Sequence, residues 1–303
     1  MVRIVVVATC TAAALASTGS AFAPSPVLSL RRPGAASTTR RYVLETAPEA
    51  ASVSLDDVAA VRAAGRGRAP VLTLPGDTLE LTPKMLALTY GTTAAYCLGM
   101  AAALAAAPVG ALGGLCLGVL GADLFSGAFH WATDNYGDID TPVVGFACAA
   151  FQGHHLAPWT ITHRPFANNV HNIAKAAAVP MAVAFAALSP AAGAFVGTTL
   201  YGQLWAQEFH RWSHMLPSEL PPAAQFLQRC GAALSVAEHG RHHLPPYAKH
   251  YTIFTGMLNP LLDTTFFWRR VEAAVYRANG AEPNCWKDLD NGGAKLKALA
   301  LSL

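Results

Sequence analysis

After residue 85 the apolar residues gather into four long blocks, and polar residues fill the stretches between them. Residues 86–107 form the first block and 111–129 the second, with Pro108-Val109-Gly110 turning between them. Residues 174–188 are the third and 194–206 the core of the fourth, joined at Ser189-Pro190. The first two approach the roughly 20 residues that a membrane span needs. The last two are shorter. They reach that length with flanking residues such as Asn172, Ile173, Tyr201 and Gln207, or form one re-entrant hairpin. The pattern predicts an all-α membrane protein of about four transmembrane helices with a histidine-rich helical cap on one side.

Charge supports that picture. Of the 303 residues 53% are hydrophobic and only 13% charged, where soluble domains carry about 25% charged residues. After the leader, Lys and Arg fall in the N-terminal arm, the loop over 130–173, the region after 209, or at Lys175 beside the third block. The turns near 108 and 190 hold no charge. Positive residues collect on the non-translocated side, so four spans put both termini and every histidine group on one side, with His130 near His210. A net charge of +3 gives no argument for nucleic acid. The six cysteines show no framework spacing, so no disulfide scaffold is expected. No G-x-x-x-x-G-K-[ST] or G-x-G-x-x-G occurs, so no nucleotide site is expected either.

Residues 1–21 have the form of a secretory signal: Arg3, an apolar core over 4–16, and small residues at Gly19-Ser20-Ala21. Phe22 and an arginine-, serine- and threonine-rich stretch to residue 44 follow, with no acid until Glu45. That succession resembles the bipartite plastid-targeting leaders of algae with complex plastids, and predicts a thylakoid or inner-envelope protein. A plain signal peptide with a disordered tail, and an endoplasmic-reticulum membrane, is the alternative. Residues 45–81 read as a linker, with Ser54 capping a short helix over 55–64. Beyond the fourth block, 221–236 predicts an interfacial amphipathic helix with Phe226 and Leu227 down and Gln225, Gln228 and Arg229 up. A second is expected over 266–277. A polar tail covers 287–303.

Eleven histidines give the chain its chemistry, five of them between residues 129 and 171. His210 and His214 lie four apart, on one face of one helix. His239, His242 and His243 repeat the idea at offsets of three and four. His154 and His155 are adjacent, and His171 precedes the third block. Neutral imidazole suits iron, copper or zinc. A catalytic zinc uses about three protein ligands, which would leave six histidines idle. Nine suit two metals.

The segments HWATDNYGD, FQGHHLAPWTITHRPFANNVH, FHRWSH and EHGRHHLPPY resemble the motifs of the plant chloroplast palmitate Δ3-trans desaturases that act on phosphatidylglycerol. More distantly they are similar to plasmanylethanolamine desaturases. The similarity covers about residues 82–286. It implies a membrane-bound centre of two iron ions (Fe2+) that uses dioxygen. The ligands implied are His130, His154, His155, His171, His210, His214, His239, His242 and His243; His163 and His250 are left out. It also implies a glycerolipid substrate and an external electron donor, ferredoxin in a plastid.

Metal-bound imidazoles commonly donate their other nitrogen to a carboxylate or carbonyl. Asp123, two helical turns before His130, is expected in that role, and so are Asp134, Glu208 and Glu238. Asn168 and Asn169 could ligate or hold a metal-bound water. Arg164, Lys175 and Arg241 are candidates for the lipid headgroup, and Trp131, Trp159, Trp205 and Trp212 for an interfacial belt. Two other classes of function remain open on the residues: a zinc-dependent membrane amide hydrolase of the ceramidase type, and a non-catalytic metal carrier or sensor.

Overall fold

The computed structural model describes residues 78–287 and 293–300. The chain divides into two compact units, and all of the described residues belong to the unit made of 1–16 and 71–303. The expected signal, the transit-like leader and most of the linker over 45–81 lie outside the described residues.

Each apolar block becomes a helix longer than the block itself. α1 is Pro83–Ala106, with Thr82 capping it by accepting the Met85 N–H at 3.3 Å. α2 is Pro108–Asn135, and only Ala107 separates the two. The turn expected over 108–110 is therefore a single residue. Pro108 fits at the start of α2 because a first-turn residue needs no N–H.

α3 is Gly145–His154, a 3-10 turn spans Pro158–His163, and α4 is Phe166–Ala187. α5 is Pro190–Ser213, capped by Ser189. α4 and α5, at 22 and 24 residues, each reach the length that a span needs.

α2 and α4 are long and apolar enough to cross a membrane. α1 and α5 are long too, but polar side chains dilute them, and these face the neighbouring helices. The Tyr96 hydroxyl meets the Thr198 hydroxyl at 3.1 Å, and the Tyr201 hydroxyl donates to Thr93 at 3.3 Å. The Tyr96 and Tyr201 rings stack at 4.2 Å. Outward, Leu98, Leu112, Leu117, Val179 and Val183 are exposed.

α2 and α5 meet along a seam of small residues. A Cβ at Gly114 would lie 2.2 Å from the Ala191 carbonyl oxygen, and one at Gly118 would lie 2.5 Å from Thr198 Cβ. Such seams let helix backbones approach closely. Here the seam brings the far ends of α2 and α5, with His130 and His210, together.

The cap follows α5. α6 is Pro222–Arg229, α7 Val236–His242, α8 Asn259–Thr264 and α9 Phe267–Asn279, before a 3-10 turn at Asn284–Trp286 and α10, Gly293–Ala300. The helix expected over 221–236 stops near Gly231, which takes a left-handed φ of 71°. Its Leu227 is buried while Phe226 is exposed, so the two do not share a face. α9 matches the segment expected at 266–277 and ends at left-handed Gly280. Within the expected polar tail, Ala298 of α10 is buried and packs in a cluster with Ala273, Cys285 and Trp286.

Two buried acids fasten this cap to α2. Asp123 accepts the N–H groups of Thr255, Gly256 and Leu258 at 2.8, 3.0 and 2.9 Å, and the Thr252 hydroxyl at 3.2 Å. Glu272 of α9 pairs with Arg269 and accepts from Trp131 at 3.2 Å and Trp286 at 2.8 Å. The described cysteines, Cys97, Cys116, Cys148, Cys230 and Cys285, are free.

Candidate metal centre

Most of the clustered histidines sit at the C-terminal ends of helices. His154 ends α3 and His155 caps it; His210 lies in the last turn of α5 and His214 caps that helix. His239 and His242 are in α7, and His243 is its cap. His130 lies in the last two turns of α2. Helix C-termini carry partial negative charge, so the sequence gathers both lone pairs and dipoles that favour a cation.

The rings form two groups. In the first, one nitrogen each from His154, His210, His214, His239 and His243 lies within 4.8 Å of all the others. His154 Nε2 is 2.9 Å from His214 Nε2 and 3.0 Å from His210 Nε2, and His239 and His243 Nε2 are 3.0 Å apart. Ligands about 2.1 Å from one ion stand about 3.0 Å apart at octahedral corners and about 3.4 Å apart at tetrahedral ones. The three short pairs match the octahedral spacing, and five nitrogens in one group exceed the four of a tetrahedral site.

The second group is His130, Asp134, His155 and His242. Asp134 Oδ2 lies 3.2 Å from His130 Nε2, 3.4 Å from His242 Nε2 and 3.6 Å from His155 Nε2. His155 and His242 Nε2 are 3.0 Å apart. His130 donates from Nδ1 to the Tyr251 carbonyl at 3.0 Å, and His242 from Nδ1 to that of Lys249 at 2.9 Å. A proton held on Nδ1 leaves the Nε2 lone pair for a metal.

The two groups share a wall. His154 and His155 are neighbours in sequence but enter different groups, as do His239 and His242 on α7. The His130 and His210 ring centroids stand 5.9 Å apart.

These donors fit bound metal. His130 Nε2 and both Asp134 carboxylate oxygens are buried with no hydrogen-bond partner among the described residues, a costly state unless a cation fills it. Burial and neighbouring imidazoles push His243 down to about 2. Burial pushes His214 down to about 4, and His155 to about 3 despite the Asp134 carboxylate beside it. His154 and His239 are likewise pushed well below the ordinary imidazole value by burial. These five rings are therefore held neutral at pH 7, with lone pairs free for ions. Imidazole with carboxylate suits iron, copper or zinc.

Other candidate residues lie elsewhere. His171 of α4 is outside both groups, its Nδ1 against the Asn168 carbonyl at 2.8 Å. Asp123 binds the 252–258 loop rather than a histidine. Asp134, expected behind a ligand, stands among the ligands themselves. Glu208 accepts from Arg211, from Trp212 at 2.7 Å and from Asn169 at 3.1 Å. Asn168 accepts from Arg164 at 3.0 Å.

Glu238 accepts from Arg241 at 2.8 Å and lies 2.7 Å from His250 Nδ1. That bond holds the Glu238 carboxyl below its ordinary value. His163 is exposed. Trp205 and Trp212 are buried rather than at a belt, while Trp159 is exposed.

Two clefts reach the groups. One, of about 160 Å³, touches His154 and His210 of the five-histidine group. Its lining mixes apolar Phe146, Phe151 and Ile161 with polar Arg164, Asn169, His171 and Gln207. The other, of about 280 Å³, opens on Asp134 and His155 beside Tyr247, whose ring stacks on His155 at 4.4 Å. Lys175 and Arg241 are exposed and line neither cleft.

Residues 119–286 match the family described as a lipid desaturase domain. The chain is 42% identical over 174 residues to a chloroplastic fatty acid desaturase 4 of Arabidopsis thaliana, covering 56% of this chain and 53% of that protein. It is 32% identical over 201 residues to a plasmanylethanolamine desaturase of Myxococcus xanthus, covering 63% of this chain and 68% of the other. A mouse plasmanylethanolamine desaturase 1 is 32% identical over 182 residues, 56% of this chain and 66% of its own length. The match spans little more than half the length of the Arabidopsis protein. No solved structure matches the chain.

Proposed function

From a chain that belongs to the lipid desaturase family, we propose an oxygen-dependent acyl-lipid desaturase that holds two ferrous ions. The observation that carries this reading is the pair of adjoining buried groups: five imidazoles in one, three imidazoles and Asp134 in the other. Iron bound there would supply the oxidising power with which dioxygen removes two hydrogens from neighbouring methylenes. The chain's own residues do the rest. His130 and His242 present Nε2 because backbone carbonyls hold Nδ1. Asp134 neutralises part of the charge that the neutral rings cannot. The surrounding helices keep bulk water from the oxidant.

The substrate is proposed as palmitate of phosphatidylglycerol, desaturated trans at carbon 3. The cleft beside His154 and His210 supports a reaction near the polar end of a lipid. At about 160 Å³ it is small for a whole ligand, and its lining mixes polar with apolar side chains. A mid-chain reaction would need an apolar wall all round the metals. Carbon 3 lies two bonds from the ester carbonyl, so the ester must sit beside the centre. Arg164, at this cleft, is the headgroup candidate; Asn169, His171 and Gln207 add to its polar lining. All four long helices are read as spans, with the cap on the non-translocated side of a plastid membrane, and ferredoxin as electron donor.

The second reading is plasmanylethanolamine desaturation, favoured by the Myxococcus xanthus relative. It too reacts beside an oxygen of the glycerol linkage. The deciding experiment is expression in a host lacking both lipids, followed by fatty-acid and alkenyl analysis of each headgroup class. A trans-3-hexadecenoyl phosphatidylglycerol is expected; a vinyl ether in ethanolamine lipids supports the second reading. Turnover that continues without oxygen and cleaves lipid with no new double bond, or purified active protein carrying only zinc, would overturn both and leave a hydrolase.

A further inference from the structure

We propose that His250 is a positioning residue of the Asp134 centre: it fixes the backbone whose two carbonyls orient His130 and His242. The proposal rests on the two-metal reading above. The carbonyl of Lys249 accepts from His242 Nδ1 at 2.9 Å, and the carbonyl of Tyr251 accepts from His130 Nδ1 at 3.0 Å. His250 is the one residue between them. Its φ of 57° is left-handed, a conformation that costs a non-glycine residue energy. Two acids hold it there. The Glu238 Oε1 atom lies 2.7 Å from Nδ1, and Asp263 Oδ2 accepts the backbone N–H at 3.1 Å and stands 3.5 Å from Nε2.

The next residues are fastened as well. Asn259 accepts the Thr252 N–H at 2.9 Å and donates to the Thr252 carbonyl at 3.2 Å. On either side Arg269 donates to the Ala248 carbonyl at 2.9 Å and Asn135 to the Tyr251 hydroxyl at 3.0 Å, so His250 and its two acids set the bend between two fastened neighbours. Among the described residues no backbone carbonyl is bonded to His210 or His239 Nδ1 in the five-histidine group, and both atoms are buried without a partner. Loss of His250 therefore disturbs one centre and spares the other. Partners that orient a metal-bound imidazole are worth about 10- to 100-fold in metal affinity.

The test is anaerobic titration of the metal-free, full-length protein in detergent with cobalt(II), reading visible absorption and bound cobalt. Wild type is expected to bind two equivalents. In His250→Ala one equivalent binds about 10- to 100-fold more weakly, and it is the same one that Asp134→Ala removes. The other equivalent keeps its affinity and spectrum. His250→Gln, which can still reach Glu238, restores part of the loss. Should His250→Ala fail to fold, Asp263→Ala removes the acceptor of the His250 N–H and weakens the same equivalent. Two unaltered equivalents in the foldable variant overturn the proposal, and so does equal weakening of both. Wild type that binds fewer than two equivalents overturns the two-metal reading instead, and the proposal with it.

Discussion

Asp134 stands four residues after His130 on α2, and its Oδ2 faces three imidazole Nε2 atoms. Among the four residues of this group Asp134 is the one that can carry negative charge to offset a dication, so its loss costs more than one imidazole among five. Asp134→Asn is expected to remove one of two metal equivalents and to cut product at least about 100-fold, checked by metal analysis and lipid analysis of the same preparation. His171 gives the contrast. It lines the cleft but joins neither group, so His171→Ala is expected to keep both metals and lose turnover. A missing metal in that variant would return His171 to the ligand set. Offsets of three and four made five of these rings legible, His210 with His214 and His239 with His242 and His243; His130, His154 and His155 joined them through the motif resemblance. The sequence could not divide them. Adjacent residues on a helix point about 100° apart, which sends His154 to one group and His155 to the other. Nor did residue type mark Asp134 as more than a partner, or His250 as a bracket, because both roles depend on chain segments over a hundred residues apart.

The helices were legible as apolar blocks and illegible at their ends. α2 runs six residues past the apolar block because Asn135 bonds into the cap, to the Tyr251 hydroxyl and the Cys285 N–H. α4 starts eight before its block because Asn168 bonds to the carbonyls of Thr78 and Glu80 and Asn169 to Gln207 and Glu208 of α5. Periodicity of hydrophobic residues cannot report burial by polar partners. The same blindness split α1 and α5 from the span-like pair: their threonines and tyrosines serve helix–helix hydrogen bonds. The seam between α2 and α5 is the element on which the centre depends. Gly118→Leu would place its Cβ 2.5 Å from Thr198 Cβ and 2.8 Å from the Phe195 carbonyl oxygen. Overpacking of this kind costs about 1–3 kcal/mol. It should separate the ends that carry His130 and His210, lowering both the unfolding temperature and the metal content. Gly113→Leu, on the same helix with nothing within 4 Å of its Cβ, is expected to change neither. If the two variants behave alike, the seam does not position the histidines.

At the scale of the whole molecule, the fold keeps many imidazoles neutral where water would let them titrate. His155 is held at about 3, His214 at about 4 and His243 at about 2, each by burial first. In the unfolded chain the same groups titrate near about 6.5. Between these values the unfolded chain binds protons that the folded chain refuses, so stability falls as pH falls. The contribution is complete above about pH 6.5 and drains away on acidification toward the folded values. Carboxylates such as Glu238, whose folded value is depressed by His250, lose their contribution only at lower pH, below about 4.5. The window from pH 7 to 5 therefore belongs to the histidines. Metal-free protein should unfold at progressively lower temperature across it. Metal-loaded protein should start higher, because ions that bind only the folded chain stabilise it, and should then fall toward the metal-free curve as protons displace the ions. Thermal unfolding of both forms from pH 8 to 4.5 reads the two curves. A flat metal-free profile between pH 7 and 5 would mean that the rings are already protonated or exposed in the fold. Without neutral rings there is no cage for two cations, and the two-metal reading would fail with it.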